Sequence, residues 1–406
     1  MGEVRSALQG FSGGVQRNAR PEPEGILRLA AELRQLPDCN DTRVLAEYRR
    51  ILGLQDEPEA AKALRDELNV AHAREVLGED LAALARVEDI IGEAQGPGFE
   101  RVRAQAAYRR GRVLDAMGNT SGARQSLEEA VGLAKQTHDP VLGVMASLYL
   151  AKLLADDPTG GRGGRGWLML AWSELRAAHG DDPPAWLHAD FLDASGIVEH
   201  AAHEYARAED FHRRALELRR KFVGGDDDPD VIRSMNNLAN VLSRLGPERK
   251  AEALPLYEAA RRSVERLYGA DHPLNAKLWI NIGVQHLDAG RTQSAKRAFL
   301  AAVEIDRRAR GAAGEPALRP LVLLGKLAAE EDDDATLDAV VAQIERIHDD
   351  LRASDSAAMT HVDRANELKL IAQGRSDDLG AAAAALQEAA AILEPVEPVE
   401  HAWTQV

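Results

Sequence analysis

Small apolar residues recur along the chain at two fixed spacings. A glycine or alanine is followed twelve positions later by a second small residue and seven positions after that by a third: Gly111/Ala123/Ala130, Gly196/Ala208/Ala215 and Gly283/Ala295/Ala302. Ala239/Ala253/Ala260 keeps the pattern with two extra residues around Gly246-Pro247. Weaker echoes stand at Ala71/Ala83/Ile90, Gly325/Leu337/Ile344 and Ile371/Ala383/Ala390. Two helices joined by a tight turn reach the short end of the usual packing distance only where small side chains meet at the crossing. The spacing of seven keeps two such residues on one helix face, two turns apart. The pattern therefore predicts repeated helix–turn–helix units, each with one small residue on its first helix facing two on its second.

Prolines mark the same period. Pro97, Pro140, Pro184, Pro229, Pro273 and Pro316 follow one another at intervals of 43 to 45 residues. Proline fits the first turn of a helix, where its missing N–H would have no partner, and a preceding aspartate can cap the exposed amides. Asp139-Pro140 and Asp228-Pro229 have that form, so a helix is predicted just after each proline. In the unit between 141 and 184 the best small-residue match is Ala151/Ala171/Ala178, which places twenty residues where twelve are expected. The surplus is assigned to a flexible glycine-rich loop, DDPTGGRGGRG (156–166), between its two helices.

The expected fold is all-α: a right-handed solenoid of stacked antiparallel helix pairs. Residues 1–58 form an N-terminal helical segment with a disordered start, 59–394 the helical repeats (best at 100–140 and 185–311), and 395–406 a frayed tail after Pro395. Composition agrees. Ala, Leu, Arg and Glu dominate, residues that lose little side-chain freedom in a helix, aromatics are 4% of the chain, and few segments alternate as strands do.

The Gly/Ala, Ala, Ala spacing resembles the tetratricopeptide repeat. The period exceeds the usual repeat of about 34 residues and is similar to the longer kinesin-light-chain type, with its L-N-N-L-A, Y-x-x-A and G-x-D-H-P text. The matching stretches are MNNLANVL (235–242), EALPLYEAARRSVERLYGADHP (252–273) and WINIGVQHL (279–287), with a second copy in YARAEDFHRRALELRRKFVGGDDDP (205–229). The N-terminal EGILRLAAELRQLPDCNDTRVLAEYRRIL resembles the segment joining kinase to repeats in some large bacterial serine/threonine kinases. The chain lacks the kinase half, which implies a stand-alone relative or a fragment.

Formal charge is −16, opposite to the cationic excess a duplex-binding surface needs, so no nucleic-acid partner is expected. The only cysteine, Cys39, has no intrachain partner, which suits a reducing cytoplasm. The most apolar stretch, VLGVMASLYLAKLLA (141–155), is too short for a bilayer, and no membrane association is expected. No catalytic constellation, cofactor or metal is expected either. H-R-D and D-F-G are absent, and G-R-G-G-R-G (161–166) matches a dinucleotide fingerprint only formally, because it lies outside any strand–turn–helix unit. His200, His203 and Glu204, with His188 and His212 nearby in sequence, read as solvated or groove-facing groups, with His203 at a helix end.

Binding is therefore assigned to the concave surface. Counted from the small crossing residue, positions −6, −3, −2, +1, +4 and +5 of each first helix should face inward. From Ala239 these include Arg233, Asn236, Asn237, Asn240 and Arg244; from Gly283, Lys277 and Asn281; from Gly325, Arg319 and Lys326. From Gly111 they include Tyr108, Arg109, Arg112 and Asp115. Asparagine is a poor mid-helix residue, but its amide can both donate to and accept from a peptide backbone, while Arg and Lys take acidic side chains. By resemblance to kinesin-light-chain-type repeats, Asn237 and Asn281 contact peptide cargo; the bland alternative is that the asparagines bond between helices. The expected function is a cytoplasmic protein–protein interaction scaffold holding an extended, acidic peptide. A regulatory or docking extension of a bacterial serine/threonine kinase, and a helical-repeat phosphatase, are the alternatives.

Overall fold

The computed structural model describes residues 58–76, 79–155, 162–310 and 317–353. The segment before 58, Cys39, the Ile371/Ala383/Ala390 unit and the tail lie outside the described residues. All regular structure among the described residues is helical: α1 (Glu59–Val76), α2 (Asp80–Glu93), α3 (Glu100–Ala116), α4 (Thr120–Gln136), α5 (Pro140–Leu153), α6 (Arg162–His179) and α7 (Ala185–Ala201), then α8 (Tyr205–Val223), α9 (Pro229–Arg244), α10 (Pro247–Tyr268), α11 (Pro273–Asp288), α12 (Thr292–Arg310), α13 (Leu318–Glu330) and α14 (Asp334–Ala353). None is long and apolar enough to cross a membrane. By packing, the chain divides into residues 1–234 and 235–406, the boundary falling inside α9. Within each unit odd-numbered helices pair with the even-numbered helix that follows, and successive pairs stack. This is the helix-pair architecture the spacings predict.

The prolines open helices as expected. Pro140, Pro229 and Pro273 are the first residues of α5, α9 and α11, and α7 starts directly after Pro184. Asp139 Oδ1 accepts from the Leu142 amide at 3.0 Å, and Asp228 Oδ1 accepts from Asp230 N–H at 2.9 Å. His272, which stands where an aspartate would, caps α11 by accepting from Leu274 N–H through Nδ1 at 3.2 Å and stacks on Tyr268.

Every crossing triplet within the described residues is buried, from Ala71/Ala83/Ile90 to Gly325/Leu337/Ile344, with one exception. Ala178 is exposed. The glycine run at 162–166 is the first turn of α6, not loop, so the assignment of 156–166 as one flexible insertion is corrected. A Cβ on Gly164 would stand 2.7 Å from the Ala151 carbonyl oxygen and 2.9 Å from Val198 Cγ2. Gly164 is therefore the small residue of this crossing, and Ala171, seven positions on, is the third. The true triplet is Ala151/Gly164/Ala171, with one extra turn residue rather than eight.

A fourth position completes the crossing. Sixteen residues after the small residue a larger side chain lies across it: Leu127 over Gly111, His212 over Gly196, Phe299 over Gly283. The turn between the paired helices is also fixed. Gly118, His203, Gly290 and Asp332, each seven residues beyond the crossing glycine, hold φ between 54° and 77°. Two of these four carry a side chain in a conformation that favours glycine.

Candidate functional site

The inward register predicts which side chains of successive first helices should share a face, and the contacts test it. In the first unit Arg109 (−2 on α3) donates to His72 Nδ1 (+1 on α1) at 2.7 Å, and Arg112 (+1) meets Glu75 (+4) at 2.7 Å. Tyr149 (−2 on α5) donates its hydroxyl proton to Asp115 (+4 on α3) at 2.8 Å. Arg233 (−6 on α9) lies 3.8 Å from Asp190 (−6 on α7) and 3.7 Å from Asp193 (−3). In the second unit Asn281 (−2 on α11) donates from Nδ2 to Asn236 Oδ1 (−3 on α9) at 3.1 Å. Counted positions thus meet between α1 and α3, α3 and α5, α7 and α9, and α9 and α11.

The two walls differ chemically. In the first unit the charges are matched internally. Burial alone would raise the Glu75 carboxyl, but Arg112, His72 and Arg109 bring it down to about 2. Asp193 is likewise held well below the carboxylate range against its burial, chiefly by Arg219, with His212 and Arg233. Arg219, itself buried, donates to Asp190 at 2.6 Å and to Ser234 Oγ at 2.5 Å. His212 Nδ1 stands 3.3 Å from Asp193. This histidine is thus the buried filler of a crossing beside a charge network, rather than a solvated or groove-facing group. The cluster His188/His200/His203 does not converge either: His188 packs near Trp172 and His200 and His203 flank Tyr205.

Arg233, expected to receive a ligand's acidic group, is already engaged by Asp190, Asp193 and, at 2.9 Å, Asp230. In the second unit Asn236, Asn237, Asn240 and Asn281 are half-buried rather than solvent-facing, while Arg244, Lys277 and Lys326 are exposed and Arg319 partly buried. Asn240 accepts from the Tyr257 hydroxyl at 2.6 Å, tying α9 to α10. Burial pushes the Tyr257 phenol upward, so it stays a neutral donor. Asn240 and the Asn236–Asn281 pair thus bond between helices, as the bland alternative anticipated. Arg244, Lys277 and Lys326 make no ion pair among the described residues, in contrast to the arginines of the first unit.

Models of the tetratricopeptide repeat match residues 104–137, 189–254 and 248–308. Over these residues the chain is similar to tetratricopeptide repeats. The repeats take in α3–α4 and the stretch from α7 to α12, which holds most of the cationic and asparagine positions of both walls. No curated protein sequence matches the chain. Among solved structures, BtubC (BKLC) from P. vanneervenii is 19% identical, covering 58% of this chain and 92% of its own, with a TM-score of 0.48. The assembly chaperone of RpL4 (Acl4) is 19% identical over 78% of this chain and 96% of its own, TM-score 0.34. A Podosopora anserina protein of nearly identical TPR-like repeats, named for kinesin light chain, is 14% identical over 62% of this chain and 99% of its own, TM-score 0.30. Repeats of this kind, stacked as helix pairs, support a protein-interaction scaffold.

Proposed function

We propose that the chain is an interaction scaffold and that the wall built by α9, α11 and α13 of the second unit holds an extended, acidic segment of a partner protein. The observation that carries this reading is the set of three exposed cations, Arg244, Lys277 and Lys326, one from each successive first helix and none in an ion pair among the described residues. On a chain of formal charge −16, exposed cations on three successive first helices favour acidic ligands and accelerate their encounter. The same first helices carry the half-buried amides of Asn237 and Asn281 and the guanidinium of Arg319, groups of the kind that bond a peptide backbone and its carboxylates.

Affinity for a glutamate-rich peptide, measured by anisotropy as salt is raised, tests the reading. Exposed cations are screened beyond about 10 Å at 0.1 M salt, so binding should weaken steadily. Salt-independent binding would remove the electrostatic basis of the assignment.

A further inference from the structure

The outer face of α6 differs from those of the second helices on either side of it. A helix packed on one side turns its other face to water, and that face is normally charged or polar. Counted from the small crossing residue, positions +5 and +6 are Glu128 and Glu129 on α4 and Arg213 and Arg214 on α8. On α6 they are Met169 and Leu170, which are 75% and 37% exposed. The other exposed positions from Gly166 onward are Gly166 itself, Trp172, Ser173, Arg176, Ala177 and Ala178, and Arg176 is the one charged group among them. Trp172 is held in place, its ring 4.8 Å from that of Phe191 on α7 and the Arg176 guanidinium over it at 5.8 Å. Exposed apolar surface of this kind marks an interaction site, and tryptophan, methionine and arginine are the residues enriched in such sites.

The face is complementary to itself. Its N-terminal half carries the large side chains Met169, Leu170 and Trp172, and its C-terminal half the small ones Ser173, Ala177 and Ala178, ending at Gly180. An antiparallel copy of α6 therefore lays bulk over space twice, once on each side of a two-fold axis. Charge selects the same direction. At the N-terminus, the positive end of the helix dipole, Arg165 and Arg207 share the carboxylate of Glu199. Beyond the C-terminus, the negative end, stand the exposed Asp181 and Asp182, with Asp181 bonded to Arg176 at 2.6 Å. Antiparallel packing sets these unlike ends against each other, whereas parallel packing would set like against like. We infer that α6 is a homodimerisation surface, packed antiparallel on α6 of a second copy in an isologous contact. One helix face engages fewer than the ~20–30 residues a side of a standard interface, so the dimer is reversible and forms as concentration rises.

Sedimentation velocity of the full chain, from low micromolar to several hundred micromolar, reads this directly. The weight-average sedimentation coefficient should rise from monomer towards dimer. Met169→Glu places a charge at a 75% exposed position, so far-UV circular dichroism should be unchanged while the dimer is lost. Asp181→Arg should weaken association several-fold, because it brings a cation to the positive end of the other copy's α6. A monomer at every concentration would overturn the inference, and so would a dimer indifferent to Met169→Glu. A dimer lost with Met169→Glu but unaffected by Asp181→Arg would contradict the antiparallel arrangement.

Discussion

The hydroxyl of Tyr257 on α10 donates to the side-chain oxygen of Asn240 on α9 at 2.6 Å, with Tyr257 almost completely buried. A mid-helix asparagine of the proposed binding wall is thus also the acceptor that satisfies a buried phenol of its own repeat. Asn240→Ala should cost about 1–3 kcal/mol, because it leaves that donor unsatisfied. Tyr257→Phe alone should cost less, and the double variant should recover part of the asparagine penalty. Urea unfolding of the three variants measures the coupling; strictly additive losses would show that the bond contributes nothing.

Gly164 and Gly166 lie two residues apart in the first turns of α6 and should respond in opposite directions. A side chain on Gly164 meets the Ala151 carbonyl, so Gly164→Val should destabilise by about 1–3 kcal/mol through overpacking. Nothing lies within 4 Å of a Cβ on Gly166, so Gly166→Ala should stabilise by about 0.5–1 kcal/mol through helix propensity. If both positions behaved as loop residues, neither change would move the thermal midpoint.

What was legible in the sequence follows from that contrast. The crossing residues could be read because close approach of two helix axes demands a small side chain whatever surrounds it, and the demand recurs at one spacing. The side chain sixteen residues on could not. Leu127, His212 and Phe299 share a volume to fill but no chemistry, and only the glycine beneath each reveals the role. The glycines at 163–166 look like loop in the sequence because glycine serves both a loop and a tight crossing, and the local text does not separate them. Some of the counted positions contact one another, but these partners are not visible in the sequence, since Glu75 with Arg112 and Asp190 with Arg233 lie in different repeats. Internal neutralisation of Arg233 therefore emerged only from the structure.

Gly290 and Asp332 end equivalent helices, α11 and α13, in the same left-handed conformation, φ 68° and 54°. Gly290→Ala should lose about 1–2 kcal/mol, the cost of placing a Cβ in this region. Asp332→Gly should be neutral or stabilising, since strain relief offsets the extra freedom of the unfolded chain. Chemical denaturation distinguishes these outcomes, and a destabilising Asp332→Gly would contradict the turn assignment.

The acid limb of stability should depend on Glu75. Its folded carboxyl sits at about 2 against an ordinary 4.5, so between these values the unfolded chain binds the proton and the folded chain does not. The contribution is fully present above about pH 5 and is lost as pH falls through the folded value. From pH 4.5 to 3 this group alone should remove about 2 kcal/mol. In Glu75→Gln that part of the slope should vanish. Parallel stability curves for the two proteins over this range would show that Glu75 is not held ionised by Arg112 and Arg109.

The central claim is that the second unit's wall receives an acidic, extended segment, and selection from a randomised peptide library on the folded chain tests it most directly. The account predicts enrichment of peptides rich in aspartate and glutamate. It also predicts that these peptides lose binding to the triple variant Arg244→Glu, Lys277→Glu, Lys326→Glu while its far-UV circular dichroism is unchanged. Enrichment of neutral or basic peptides, or undiminished binding of acidic peptides to the folded triple variant, would contradict it.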